Sequence, residues 1–360
     1  MDPTWRIVSR TVIGIGLVVI GLALACTSRR GMDPEPLPYG IYVAATDYSI
    51  TPVRFLVYVY DADSLQLLDS IPIPLEAGDM AVTPDGQAVL LKSCCGSGER
   101  PLLRVNTATH EIEWMESALG SAVTLLNNGK WVINGSSVLN TVDGSVVREL
   151  PDTLHYWSGP QKGTETAATV VDIAGSYLID TTVTVIDVAT GTTRGRYVAH
   201  VSSGHSPYLS HVRLHPDGSR VLAIGWNGPY RSWFVVGDVQ TGETLLEHRL
   251  VYPYGDIAIS ADGTTAVVTD PSRPMIWDSQ ETMDIFDLKP MRHLRRFLIP
   301  QDLSWASEVQ FLPGDRQIVT SGYPGPLQIV DLNTNSAIDS ICLPFRESLQ
   351  SGLTVAPRLR

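Results

Sequence analysis

Val183-Thr184-Val185-Ile186-Asp187-Val188-Ala189-Thr190-Gly191 is the stretch that decides the fold. Its apolar residues alternate as in a strand, the strand ends in an Asp whose carboxylate can accept amides further along the chain, and Thr-Gly completes a turn. The same mark closes an apolar strand at Asp61, Asn106, Asn140, Asp187, Asp238, Asp287 and Asp331, at intervals of 34 to 51 residues. A second mark is carried by Met80-Ala81-Val82-Thr83-Pro84-Asp85-Gly86, an apolar strand running into a tight turn. It recurs at Asn127-Asn128-Gly129, Ala174-Gly175, Pro216-Asp217-Gly218, Ala261-Asp262-Gly263 and Pro313-Gly314-Asp315. Asp or Asn followed by Gly supplies the positive-φ positions of a hairpin, so these turns join antiparallel pairs. Each unit reads as strand, tight turn, strand, variable loop, strand ending in Asp or Asn, turn, strand.

Four-stranded units of this length, arranged radially, make a β-propeller, and seven third-strand marks predict an all-β ring of seven four-stranded antiparallel blades. There are only six first-turn marks, because the first unit begins at its second strand, Ile41 to Ala45. Its missing innermost strand is expected at the other end of the chain, where Leu353-Thr354-Val355-Ala356-Pro357 parallels Met80-Ala81-Val82-Thr83-Pro84. The C-terminal strand would then close the ring. These units resemble the YVTN-type, WD-like seven-bladed propellers of secreted and surface proteins, over about residues 41 to 357. The tetrapeptide itself survives in degenerate form, as in Val267-Val268-Thr269-Asp270. The resemblance implies the fold and leaves function open, since the family includes surface-layer proteins, lactonases and relatives of amine dehydrogenases.

The N-terminus predicts export. Arg6 and Arg10 precede an uncharged apolar stretch from Thr11 to Ala25, too short to span a bilayer comfortably and patterned as a signal peptide over residues 1–25. Leu22-Ala23-Leu24-Ala25-Cys26 resembles a bacterial lipobox, in which the cysteine is lipidated, although the usual Leu and small residue stand in swapped order as Ala23 and Leu24. Residues 26–40, with Arg29, Arg30 and several prolines, read as a lipid-anchored tether, and 41–360 as the propeller. The localisation expected is the cell envelope, periplasmic or cell-surface, with membrane attachment through Cys26.

Composition narrows the functional classes. The 360 residues are 44% hydrophobic and only 18% charged, so the chain can bury a substantial core. Twenty-six Lys and Arg against 38 Asp and Glu give a net charge of -12, which repels phosphate backbones and argues against nucleic-acid binding. There is no nucleophile elbow, no His-Glu-x-x-His and no phosphate loop; no catalytic set, metal set or cofactor is expected.

Binding is expected on one face. The first-to-second and third-to-fourth strand turns share a face and are short, whereas the second-to-third loops and the connections between blades share the other and are long and irregular. Variable loops on a rigid scaffold carry recognition. The candidate contact residues there are Trp157, Trp226, Tyr230, Arg231, Tyr254, Trp277, Trp305 and Tyr323, since aromatic and Arg side chains bury much area at little rotamer cost. The partner expected is an envelope protein or a polysaccharide; the alternative is a propeller enzyme, lactonase-like or dehydrogenase-like, with a polar site in the channel near His200 and His205. His211 and His215 flank an inner strand, where four residues separate side chains by about 13 Å, too far to share one metal ion. Cys94 and Cys95 read as a vicinal disulfide stiffening a loop, with free thiols and metal or redox chemistry as alternatives.

Overall fold

The computed structural model describes residues 38–47, 51–93, 100–118, 123–126, 129–150, 157–158, 167–172, 182–201, 208–226, 232–250, 255–270, 282–298, 306–322, 326–341 and 349–357. They form seven four-stranded antiparallel sheets. Blade 1 orders its strands as β28 (Leu349–Pro357), β1 (Tyr39–Asp47), β2 (Arg54–Asp61) and β3 (Leu67–Ile73). The other blades run in chain order from the innermost strand outward. Blade 2 is β4 (Ala77–Val82), β5 (Ala88–Ser93), β6 (Arg100–Asn106) and β7 (Ile112–Ala118), and blade 3 is β8 (Thr124–Leu126), β9 (Trp131–Asn134), β10 (Ser137–Asn140) and β11 (Val146–Glu149). Blade 4 is β12 (Trp157–Ser158), β13 (Ala167–Asp172), β14 (Thr182–Asp187) and β15 (Thr192–Val198), and blade 5 is β16 (Tyr208–Leu214), β17 (Arg220–Trp226), β18 (Ser232–Asp238) and β19 (Thr244–Leu250). Blade 6 is β20 (Ile257–Ile259), β21 (Thr265–Asp270), β22 (Thr282–Asp287) and β23 (Arg292–Leu298); blade 7 is β24 (Ala306–Phe311), β25 (Gln317–Gly322), β26 (Leu327–Asp331) and β27 (Ser336–Ile341). Among the described residues no helix is long and apolar enough to cross a membrane.

The core lies between blades rather than within one. Middle strands are sandwiched on both faces, which is why β5 is buried at every residue, while outer strands such as β11 are exposed. The apolar clusters join blades pairwise around the whole ring. Val57 meets Leu91 between blades 1 and 2, Leu90 meets Val132 between 2 and 3, and Leu126 meets Ile186 between 3 and 4. Val185 joins Val221 between blades 4 and 5, Phe234 joins Phe286 between 5 and 6, and Val267 joins Val309 between 6 and 7. The circuit closes where Ile41, Tyr58 and Leu353 of blade 1 pack with Leu312, Val319 and Ile329 of blade 7. The expected closure is therefore present: β28 pairs antiparallel with β1, Ile41 lying opposite Val355 and Val43 opposite Leu353.

The turn chemistry holds around the ring. The Oδ1 of each third-strand Asp or Asn accepts a backbone amide two or three residues on, as Asp61 does from Asp63 and Ser64, Asn140 from Val142, and Asp331 from Asn333 and Thr334. Each of the seven third-to-fourth strand pairs also carries a register shift just before that residue, as at Val59/Tyr60 and Ile329/Val330, so the bulge is part of the repeat. On the same face, successive first-strand turns touch: His215 of blade 5 donates from Nε2 to the Gly263 carbonyl of blade 6 at 2.7 Å, where a Cβ at Gly263 would meet the imidazole at 2.6 Å.

Blade 4 departs from the sequence reading. Ala174-Gly175 falls between the second and third strands, β13 and β14, not between the first two, and the innermost strand is the two-residue β12. Trp157, expected in a loop, is a residue of that strand, paired opposite Val170. Trp226 is likewise the last residue of β17, opposite Tyr208 and Ser232, rather than a loop residue. Strand pairing absorbs these positions because backbone donors at a sheet's end are satisfied by extending the ladder.

Candidate functional site

Each innermost strand runs from the loop face to the turn face, so its first residues ring the channel mouth on the loop face. Here β4, β16 and β24 each carry a bulge, between Ala77 and Asp79, Leu209 and His211, and Ala306 and Glu308. The extra residue re-aims the one that follows it, and bulges of this kind collect beside functional sites. Counting back seven residues from Gly86, Gly218, Gly263 and Asp315, positive-φ residues in the first turns of blades 2, 5, 6 and 7, gives Asp79, His211, Asp256 and Glu308, while the same count from Gly129 in blade 3 gives Ala122. Four titratable side chains thus occupy one level of the inner strands.

Two of them perform the same task. Asp79 Oδ1 accepts the amide of Met80 at 2.8 Å, and its Oδ2 accepts the amide of Val123 in blade 3 at 2.7 Å. Asp256, buried in blade 6, accepts Ile257 N at Oδ1 and Val309 N of blade 7 at Oδ2, at 2.8 and 3.3 Å. Each carboxylate staples its blade to the inner strand of the next. Asp256 also receives Arg213 Nη2 from blade 5 at 3.0 Å, so three consecutive blades converge on one carboxylate. Glu308 Oε2 accepts the Ser321 hydroxyl at 3.5 Å.

The electrostatics follow from this crowding. Burial pushes the Asp79 carboxyl up to about 6, against the lowering effect of the Val123 amide, Arg213 and the Met80 amide, with Asp256 adding to the rise. Burial lowers the His211 pKa, Asp256 opposes that, and Arg213 reinforces it. The mouth therefore offers an uneven ring of acid, imidazole and guanidinium, suited to recognising a polar group by charge and hydrogen bonding. The carboxylate oxygens of Asp79 and Asp256 are already engaged by backbone amides, which makes their first role architectural. On the opposite face a cavity of about 60 Å³ is lined by Tyr39, Pro216, Ile259, Gln310, Phe311 and Val355, well short of the roughly 300 Å³ at which small-molecule sites begin.

With this geometry in hand, the fold has clear parallels among solved structures. A functionally unknown protein from Desulfotomaculum acetoxidans DSM 771 superposes with a TM-score of 0.58 at 13% identity, over 89% of this chain and 99% of that one. Hydrazine synthase from Kuenenia stuttgartiensis matches at 0.55 and 16% identity, over 81% and 92%. The β-propeller domain of Cps50 (Swd1) from Myceliophteria thermophila matches at 0.54 and 12% identity, over 76% and 88%. The chain is a seven-bladed β-propeller. At these identities the likeness establishes the fold alone. No protein-family model matches the chain, and no curated protein matches it by sequence.

The structure locates the sequence candidates unevenly. Trp226 ends β17 on the loop face, and Trp157 lies on the channel-side strand of blade 4. Tyr230, Arg231, Tyr254, Trp277, Trp305 and Tyr323 lie outside the described residues, as do Cys26, Cys94, Cys95 and His205. His200 follows β15 and is exposed, and His215 is buried, its Nδ1 2.7 Å from Asp217 Oδ1. Sequence reasoning missed Asp79, Arg213 and Asp256. For Asp79 and Asp256 the signal available was their place seven residues before Gly86 and Gly263, where a polar residue precedes the apolar inner strand; Arg213, five before Gly218, lies outside that column.

Proposed function

We propose that the propeller is an exported, lipid-anchored binding module that engages an envelope protein or polysaccharide through its loop face. The observation carrying this reading is the contrast between faces. The turn face is tied up in repeated Asp and Asn turns whose donors and acceptors satisfy one another, whereas the loop face holds the irregular connections and the charged channel mouth of Asp79, His211, Arg213, Asp256 and Glu308. Trp226, at the end of β17 on that face, and the aromatic residues in the sequence of the loop connections are of the types enriched at interface hot spots. The signal-like residues 1–25 and Cys26 support export and anchoring, and the motif resemblance supports kinship with YVTN-type surface propellers.

The test is affinity capture from crosslinked envelopes with the tagged full-length protein, beside a variant carrying Trp226→Ala, Trp277→Ala and Trp305→Ala. A partner or glycan captured by the first and lost by the second is the expected result; equal capture by both removes the loop face from consideration. Membrane fractionation and fatty-acid labelling of Cys26→Ala test the anchor, and unchanged labelling overturns it. A channel enzyme is the second reading, favoured by the Asp79 carboxyl that burial pushes up to about 6. Turnover of a lactone or amine that disappears in Asp79→Asn, with capture intact, would replace the first reading by the second.

A further inference from the structure

Asp284 breaks the pattern of its repeat. The residue three before each third-strand turn is Tyr58, Leu103, Ser137, Thr184, Val235 or Gln328 in the other blades, and only in blade 6 is it charged. Asp284 is fully buried there. A matching break comes from the neighbouring blade. His248 on β19 of blade 5 occupies the column that holds Ile71, Leu150, Tyr197, Phe297 and Ile341 in five blades and an exposed Glu116 in blade 2. Departures from a repeat at two facing positions at once are expected where a site has been built into a scaffold.

The side chains converge. The His248 and His293 rings stack with centroids 4.3 Å apart and planes 21° apart, and Phe286 stands edge-on to His248 at 5.2 Å. His293 Nε2 lies 2.7 Å from Asp284 Oδ1, and His248 Nε2 lies 3.8 Å from Oδ2. The Nε2 of His248 is buried and has no hydrogen-bond partner. A buried imidazole nitrogen aimed at a carboxylate from beyond hydrogen-bond reach lacks the third body that would use it. We propose that His248, Asp284 and His293 bind a divalent transition-metal ion of the Zn²⁺ class, clasping blade 5 to blade 6.

The donor chemistry selects that class, since two imidazoles and one carboxylate suit Zn²⁺ and its neighbours, whereas Ca²⁺ and Mg²⁺ take oxygen. One ligand atom from each residue lies within 4.8 Å of the others. Tetrahedral bonds of about 2.0–2.1 Å need ligand edges of roughly 3.3 Å, a closure that side-chain rotation supplies. Arg296 is the competitor. Its Nε and Nη2 reach Asp284 Oδ1 and Oδ2 at 2.9 and 2.7 Å. A carboxylate shut off from solvent requires a positive partner. The guanidinium fills that role, and its side chain, 34% exposed, has open solvent to swing into when an ion takes over. Among the described residues no other group of three histidine, cysteine or acidic side chains is arranged to hold a metal.

The experiment is equilibrium dialysis of the chelator-treated full-length chain against Zn²⁺, with thermal melts in parallel. The wild type is expected to bind one equivalent more than His248→Gln/His293→Gln, with Zn²⁺ raising the melting temperature of the first and leaving the second unmoved. Each single His→Gln change should weaken that equivalent by more than the roughly 10–100-fold seen when outer-shell partners are lost. Arg296→Gln, which keeps all three ligands and removes the competing cation, should bind it more tightly. Equal stoichiometry in the double variant overturns the proposal, as does a loss seen only in Cys94→Ser/Cys95→Ser, or an absence of binding by both the wild type and Arg296→Gln.

Discussion

Asp79 accepts the backbone N–H of Val123 across the boundary between blades 2 and 3 at 2.7 Å, and burial holds its carboxyl near pKa 6, above the ordinary 3.8. The folded state therefore binds this proton more tightly than the unfolded chain. The contribution favouring the fold is complete below about pH 4 and is lost as pH rises through 6. Asp79→Asn removes that dependence. The stability of the variant relative to wild type, read from urea denaturation, should rise between pH 4.5 and pH 8 by an amount on the order of 2–3 kcal/mol at about 1.4 kcal/mol per pKa unit. An offset identical at both pH values would mean that Asp79 titrates as an ordinary surface acid.

Ring closure is the next consequence open to measurement. β28 is the innermost strand of blade 1, and Leu353 packs in the cluster that joins blade 1 to blade 7. Removing residues 349–360 takes away a strand and opens the circuit, so the melt should broaden and shift strongly downward. Leu353→Ala tests the packing alone and should cost about 2–5 kcal/mol. A truncated chain that melts like the full-length protein would show that the ring does not depend on its C-terminal strand.

The parts of the architecture written in local chemistry were legible in the sequence. Asp61 through Asp331 could be found because an Asp or Asn turn is a three-residue event, and the closing strand because Leu353 to Pro357 repeats an inner-strand pattern. The two-residue strand Trp157–Ser158 escaped because so short a strand carries no periodicity, and Ala174-Gly175 misled because a glycine can mark any turn. The bulges that set Asp79, His211 and Glu308 at the channel mouth depend on pairing with the second strand, which no single segment encodes. The meeting of His248 with Asp284 and His293 depends on which blades are neighbours and how their outer strands stagger. Only the finished ring brings those residues together.

Gly255 lets the start of blade 6's inner strand lie directly against Thr269 of the next strand, β21. A Cβ there would stand 1.6 Å from the Thr269 carbonyl oxygen, and backbone is what must move. The same segment anchors Asp256, whose amide donates to Thr269 Oγ1 at 2.7 Å. Gly255→Ala should therefore cost at least the roughly 1–3 kcal/mol typical of overpacking. It should also perturb the Arg213–Asp256 pair at the mouth, so loop-face capture should weaken along with stability. Stability equal to wild type in urea denaturation would mean that the inner strand of blade 6 has slack not apparent in the structure.

The opposite pH sign is expected at Asp217, on the turn face. Burial pushes its carboxyl up, but the Ser219 hydroxyl and amide, Arg220 and His215 outweigh that and hold it well below the usual carboxylate range. The unfolded chain then binds the proton more tightly. The stabilising contribution is present above about pH 4 and fades as pH falls toward the depressed folded value. Asp217 is about half exposed, 47% by side chain, so solvent screening keeps the effect below about 1 kcal/mol. Asp217→Asn should be slightly less stable than wild type at pH 7, and the gap should narrow steadily as pH falls below about 4, closing only near the depressed folded value. Because Asp79→Asn gains with rising pH while Asp217→Asn loses, melts of the two variants across one buffer series separate the channel mouth from the turn face. Curves moving in the same direction would show that both sites report only the net charge of the chain.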